Sequence, residues 1–118
     1  MVIPENILLR TEEKAYTMDR TGMSGASIRL YQDQVLKIQR RGPEAENEAA
    51  MLAFLQGKLP VPKVHVHETV EDTSYLLMER CRGRAACDPA FLEDPAALCA
   101  MLAEGLRALW SVDVSGCP

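Results

Sequence analysis

The chain has 118 residues, of which 47% are hydrophobic and 25% charged, with a formal net charge of -4. This describes one small domain or part of a larger one, without the polar bias of a disordered chain or an apolar run of membrane-spanning length. Basic residues are scattered apart from short pairs such as Arg40-Arg41, so neither nucleic acid nor a membrane is an expected partner. The opening MVIPENILLRTEEKAY has no basic stretch leading into an apolar one, which argues against a secretory signal and makes the cytoplasm the expected location.

The elements follow in chain order. Residues 4 to 13 suit either a helix or an irregular lead-in. Lys14 to Arg20 predicts a weak strand, Ser27 to Gln32 a strand with Ile28 and Leu30 on one face, and Val35 to Gln39 an apolar-rich strand after the Gln32-Asp33 turn. Such short connections favour antiparallel pairing. A helix is predicted over residues 43 to 56: Pro43 suits its first turn, Glu44, Glu46 and Glu48 sit near the positive end of its dipole, and Gly57 stops it. Pro60 and Pro62 punctuate the chain before a strand at Val64 to Glu68, and Thr73 to Met78 gives a fifth strand that ends before Gly83. From Pro95 onward Leu98, Leu102, Leu106 and Leu109 recur at helical spacing behind Asp94, a natural N-cap. The expected class is α+β, a five-stranded mostly antiparallel sheet with one covering helix, then a linker and a final helix.

Chemistry has to come from particular residues. Gly22 and Gly25 in TGMSGAS let backbone amides and the Ser24 hydroxyl approach an anion, although this is neither a full G-x-G-x-x-G nor a P-loop and, taken alone, the stretch reads first as a plain glycine hairpin. Lys37 is on the opposite side of its strand from Leu36 and Ile38. Glu48 shares a helical stripe with Leu52 and Leu55, so it turns toward the sheet that those leucines cover. Each residue alone has an ordinary explanation, a surface lysine and a glutamate at a helix start. Together they have the order of a nucleotide-binding lobe: turn, lysine, helical glutamate. Cys81, Cys87, Cys99 and Cys117 match no C-x-x-C pattern and read as reduced thiols. HVHE, His65 to Glu68, lacks further ligands at motif spacing, so no metal site is assigned within the chain.

The chain resembles the N-terminal part of the aminoglycoside 3'-phosphotransferases of the kinase-like fold. The resemblance is carried by FLQGKLPVPKV from Phe54, SYLLMERCRG from Ser74, LRALWSVDVSGCP from Leu106, and more loosely by TGMSGAS and VLKI. It implies a nucleotide-binding N-lobe over residues 1–82, followed over 83–118 by a linker and the first helix of a C-lobe. It implies ATP or GTP with Mg2+, an aminoglycoside as the substrate of the intact enzyme, and antibiotic resistance as the outcome. By position, Lys37 would contact the α- and β-phosphates and Glu48 would hold Lys37. Ser24, with the neighbouring Met23 and Gly25, would cover the phosphates. Val35 would wall the adenine pocket, Met78 would back it, and the main chain of Glu79 and Cys81 would hydrogen-bond the base.

Two departures qualify the resemblance. Trp110 stands where the family commonly has histidine. No H-x-D-x-x-x-x-N sequence occurs, the asparagines being Asn6 and Asn47, so the catalytic aspartate and the metal ligands are expected in a C-lobe outside these residues. The chain alone is therefore expected to be inactive. A macrolide- or choline-type kinase, or a non-catalytic nucleotide-binding or interaction module, are the alternative readings.

Overall fold

The computed structural model describes residues 3–19 and 25–118. In chain order the elements are α1 (Glu5–Thr11), β1 (Thr17–Asp19), β2 (Ser27–Leu30), β3 (Gln34–Arg40), α2 (Pro43–Leu55), β4 (Val64–Val70), β5 (Thr73–Glu79), α3 (Pro89–Leu92) and α4 (Pro95–Trp110). The lead-in is thus a helix. Of the strand predicted over Lys14 to Arg20, Thr17–Asp19 is strand, Lys14 to Tyr16 lead into it without regular structure, and Arg20 lies outside the described residues.

The five strands form one sheet in the order β1-β2-β3-β5-β4, and every neighbouring pair is antiparallel. Strand alternation sorts the side chains onto two faces. On one face Leu36, paired with Leu77, and Ile38, paired with Tyr75, make the core with Ile7 of α1 and Tyr31. Leu36, Leu77 and Ile7 are completely buried, each contributing roughly 1.5–3 kcal/mol by leaving water. The Gln34 side chain ties this face to α1 by donating to the Arg10 carbonyl at 2.8 Å. At the sheet edge Arg29 lies over the Tyr16 ring, 4.7 Å from its centroid.

The other face carries Lys37, Ser74 and Leu76, and here α2 lies against β4 and β5. Ser74 and Leu76 are buried beneath it, as is Ala45 on the helix. α2 is the covering helix that the sequence pattern suggested, and α1, the helical form of the lead-in, adds Ile7 to the core on the other face. Gly57, at φ +77°, takes up the left-handed backbone that ends α2.

β4 and β5 are joined by Glu71 and Asp72, with Glu71 at φ 54°. β4 carries a register irregularity between Val64 and Val66. Past Gly83 the chain forms α3 and α4, which pack on each other. Both begin with Asp-Pro: Asp88 accepts from the Ala90 amide at 2.9 Å and Asp94 from the Ala97 amide at 3.2 Å. α3 is absent from the sequence reading, although its Asp88-Pro89 start repeats the Asp94-Pro95 signal. After α4 the chain returns toward α2, with Cys117 Sγ 3.8 Å from Met51 Sδ. No helix among the described residues is long and apolar enough to cross a membrane.

Candidate nucleotide site

Lys37 is central in β3, and its neighbours Leu36 and Ile38 are held in the core. Their burial fixes the strand's rotation, so Lys37 has to project from the opposite face. Glu48 sits one turn beyond the buried Ala45 on α2, which points it down at that same face. The Lys37 ammonium donates to both Glu48 carboxylate oxygens, at 2.8 and 3.2 Å. The side chains are 20% and 29% exposed, so solvent weakens the pair, which should stabilise the fold by no more than about 1 kcal/mol. What the pair fixes is direction: a cation held at the edge of an open surface.

That surface continues into a cleft of about 350 Å³. Its roof is the open face of the sheet, with Asp19, Ile28, Leu30 and Val35. It is lined further by Met78 and Glu79 at the end of β5, by Arg80, Cys81 and Gly83 after it, and by Pro62. The register explains the roof: Leu30 pairs with Val35 and Ile28 with Lys37, and cross-strand partners share a face. Val35 in turn pairs with Met78. The main chain at the end of β5 is anchored, since the Glu79 amide donates to the Lys63 carbonyl at 2.8 Å and the Arg80 amide to the Asp33 carbonyl at 3.1 Å. The Arg80 guanidinium also donates to the Tyr31 carbonyl at 2.8 Å.

The sequence-derived residues Val35, Met78, Glu79 and Cys81 thus meet in one cleft. Lys37 stands two residues along β3 from Val35 on the same face, roughly 7 Å away, with Glu48 against it. Gly25 is elsewhere, in a separate depression of about 210 Å³ with Gln39, Arg40 and Glu44. Met23 and Ser24 lie outside the described residues. Asp19, Ile28, Leu30 and Pro62 were not singled out by sequence reasoning; pairing register would have found Ile28 and Leu30, whereas Asp19 gives no sequence signal. Among the described residues no three His, Cys, Asp or Glu side chains gather as a metal site, and His67 lies 3.3 Å from the Ser74 hydroxyl.

Comparison with known proteins matches this architecture. A profile of the phosphotransferase enzyme family matches residues 21–118. An aminoglycoside 3'-phosphotransferase of Staphylococcus aureus is 36% identical over 77 residues, covering 64% of this chain and 29% of that protein. One from Niallia circulans is 31% identical over 124 aligned positions, covering 98% of this chain and 47% of that protein. The chain therefore spans less than half the length of these relatives.

Proposed function

Because the chain belongs to the phosphotransferase enzyme family, we propose that it supplies the nucleotide-binding lobe of a cytoplasmic, ATP-dependent aminoglycoside O-phosphotransferase that confers antibiotic resistance. The observation that carries this reading is the Lys37–Glu48 pair on the sheet face that also lines a mostly apolar cleft, two residues along β3 from Val35. The names of the relatives supply the substrate class. Residues 1–82 are the lobe itself, and residues 83–118 the linker and first helix of a second lobe.

The cleft suits a nucleoside triphosphate. Val35, Leu30 and Met78 offer a flat apolar slot for a purine. With its amide committed to Lys63, Glu79 has its carbonyl to offer the base, and Cys81 contributes its amide. Lys37 donates to phosphate oxygens and Glu48 keeps it aimed there, a positioning role for the glutamate. When bound, ATP or GTP supplies the phosphoryl group: the bond from the γ-phosphorus to its bridging oxygen breaks as a drug hydroxyl oxygen bonds to that phosphorus. The proton leaves to a base that this chain does not provide. Mg2+ is implied by the family, but the described residues do not fit it, so its ligands and the hydroxyl-orienting aspartate belong outside this lobe.

The test is ADP release with kanamycin or neomycin, run on the 118-residue chain and on a longer protein that carries it. Drug-dependent turnover is expected only from the longer protein. Turnover by the chain alone in the ordinary kinase range, about 1–100 s-1, would contradict the lobe assignment. A longer protein that ignores both drugs would contradict the substrate class.

A further inference from the structure

We infer that Arg80 is a positioning residue for the purine base. Its guanidinium clamps the segment after β5 to the turn between β2 and β3, and so holds the Glu79 carbonyl and the Cys81 amide in line with the edge of adenine. The inference rests on the nucleotide reading above and extends it to a side chain that reading does not use.

The segment that faces the base has few ties of its own. The Glu79 amide bonds to the Lys63 carbonyl and the Arg80 amide to the Asp33 carbonyl. Among the described residues, the next main-chain hydrogen bond along the chain runs from the Asp88 amide to the Ala85 carbonyl. Cys81 and Gly83 line the cleft within that untied stretch. The Arg80 side chain reaches back from it: Arg80 lines the same cleft, and its Nη1 donates to the Tyr31 carbonyl at 2.8 Å. The acceptor is a fixed point. Tyr31 is 3% exposed and belongs to the core, and its amide closes the turn by donating to the Gln34 carbonyl at 2.9 Å. Gln34 is itself buried and tied to α1.

The Glu79 carbonyl and the Cys81 amide belong to the two peptide units that meet at the Arg80 Cα. Peptide planes are rigid, so only the φ and ψ of Arg80 set the direction of one group relative to the other. The amide bond to Asp33 holds one side of that Cα, and the guanidinium on Tyr31 holds its side chain. Together they restrain both dihedrals. An acceptor followed by a donor matches the edge of adenine, whose 6-amino group donates while the neighbouring ring nitrogen accepts. Arg80 is exposed overall, and substitutions at exposed positions mostly change stability little. What its loss removes is the aim of the two main-chain groups.

The experiment is calorimetric titration of the 118-residue chain with ATP and with purine riboside 5'-triphosphate, which lacks only the 6-amino group. Wild type should bind ATP about five-fold more tightly than the analogue, as expected for one hydrogen bond to a neutral carbonyl. Arg80→Met keeps an unbranched stem and removes the donor; in it the preference should vanish, chiefly through weaker ATP binding. Arg80→Ala carries the test if the methionine variant melts early. Arg80→Lys should recover most of the preference, because a single carbonyl needs only one donor. A preference as large in the methionine and alanine variants as in wild type, or an equal weakening of both nucleotides, overturns the Arg80 assignment and leaves the nucleotide reading intact. So does equal wild-type affinity for the two nucleotides, since no base edge is then being read. Absence of wild-type binding to either nucleotide overturns both.

Discussion

The Lys37 ammonium reaches both oxygens of Glu48, the closer at 2.8 Å, across the space between a central strand and the helix that covers it. The pair is partly open to solvent, and that decides what it can be for. Exposed pairs of this kind contribute about 0–1 kcal/mol to stability. Lys37→Met and Glu48→Gln should therefore shift the urea unfolding free energy by no more than about 1 kcal/mol. In a longer, active protein the two changes should each lower phosphoryl transfer, and the double variant should lose much less than the product of the single losses. Additive effects would mean that the residues act separately.

The buried face should respond in the opposite way. Leu77 is completely buried between Leu36 and the α1 side of the core. Leu77→Ala removes apolar contact and leaves a cavity, at a cost of about 2–5 kcal/mol. That is a large share of the roughly 5–15 kcal/mol typical of a whole domain. A urea melt checks it, and a loss below about 1 kcal/mol would place the core elsewhere.

α4 presents Leu102, Leu106 and Leu109 at 51%, 47% and 47% exposure, with Trp110 more open still. Leu98 is half-buried. An apolar stripe of this kind favours association, so light scattering should show the isolated chain growing with concentration. Leu102→Glu with Leu106→Lys should return it toward monomer. A wild-type chain that stays monomeric at all concentrations would show that the stripe is harmless in isolation.

Asp113 gives a pH-dependent signal at the chain's end. The Ser115 amide donates to Asp113 Oδ1 at 3.0 Å. Hydrogen bonding from the Ser115 main chain, then from its side chain, with a smaller contribution from the Lys58 charge, holds the Asp113 pKa below its ordinary 3.8. A depressed carboxyl pKa stabilises the turn above the unfolded value, and that stabilisation fades as pH falls through the folded value. The Ser115 amide resonance should therefore titrate with a midpoint below 3.8. A midpoint at or above that value would mean that the turn is not held by this carboxylate.

The sheet and α2 were legible because their signals are local: alternation in β3, Pro43 and Gly57 bracketing a helix, and turn residues between strands. The direction of Lys37 followed from the same alternation. Other features depend on contacts between distant segments. Nothing local tells α1 which sheet face to cover, and Ile7 is buried because the Leu36 face lies open to receive it. Asp19 enters the cleft through pairing with β2, which its neighbours in sequence do not encode. α3 was within reach, since Asp88-Pro89 repeats the start of α4, but four residues are too few to show a helical period.

If Lys37 is a phosphate ligand in a nucleotide cleft, titration of ATP and of adenosine into wild type and Lys37→Ala will show it. Wild type should bind ATP at least ten-fold more tightly than adenosine, because only ATP reaches the lysine. In Lys37→Ala, ATP affinity should fall to the level of adenosine, and adenosine affinity should not change. A Lys37→Ala chain that still prefers ATP as strongly as wild type would mean that Lys37 does not hold the phosphates.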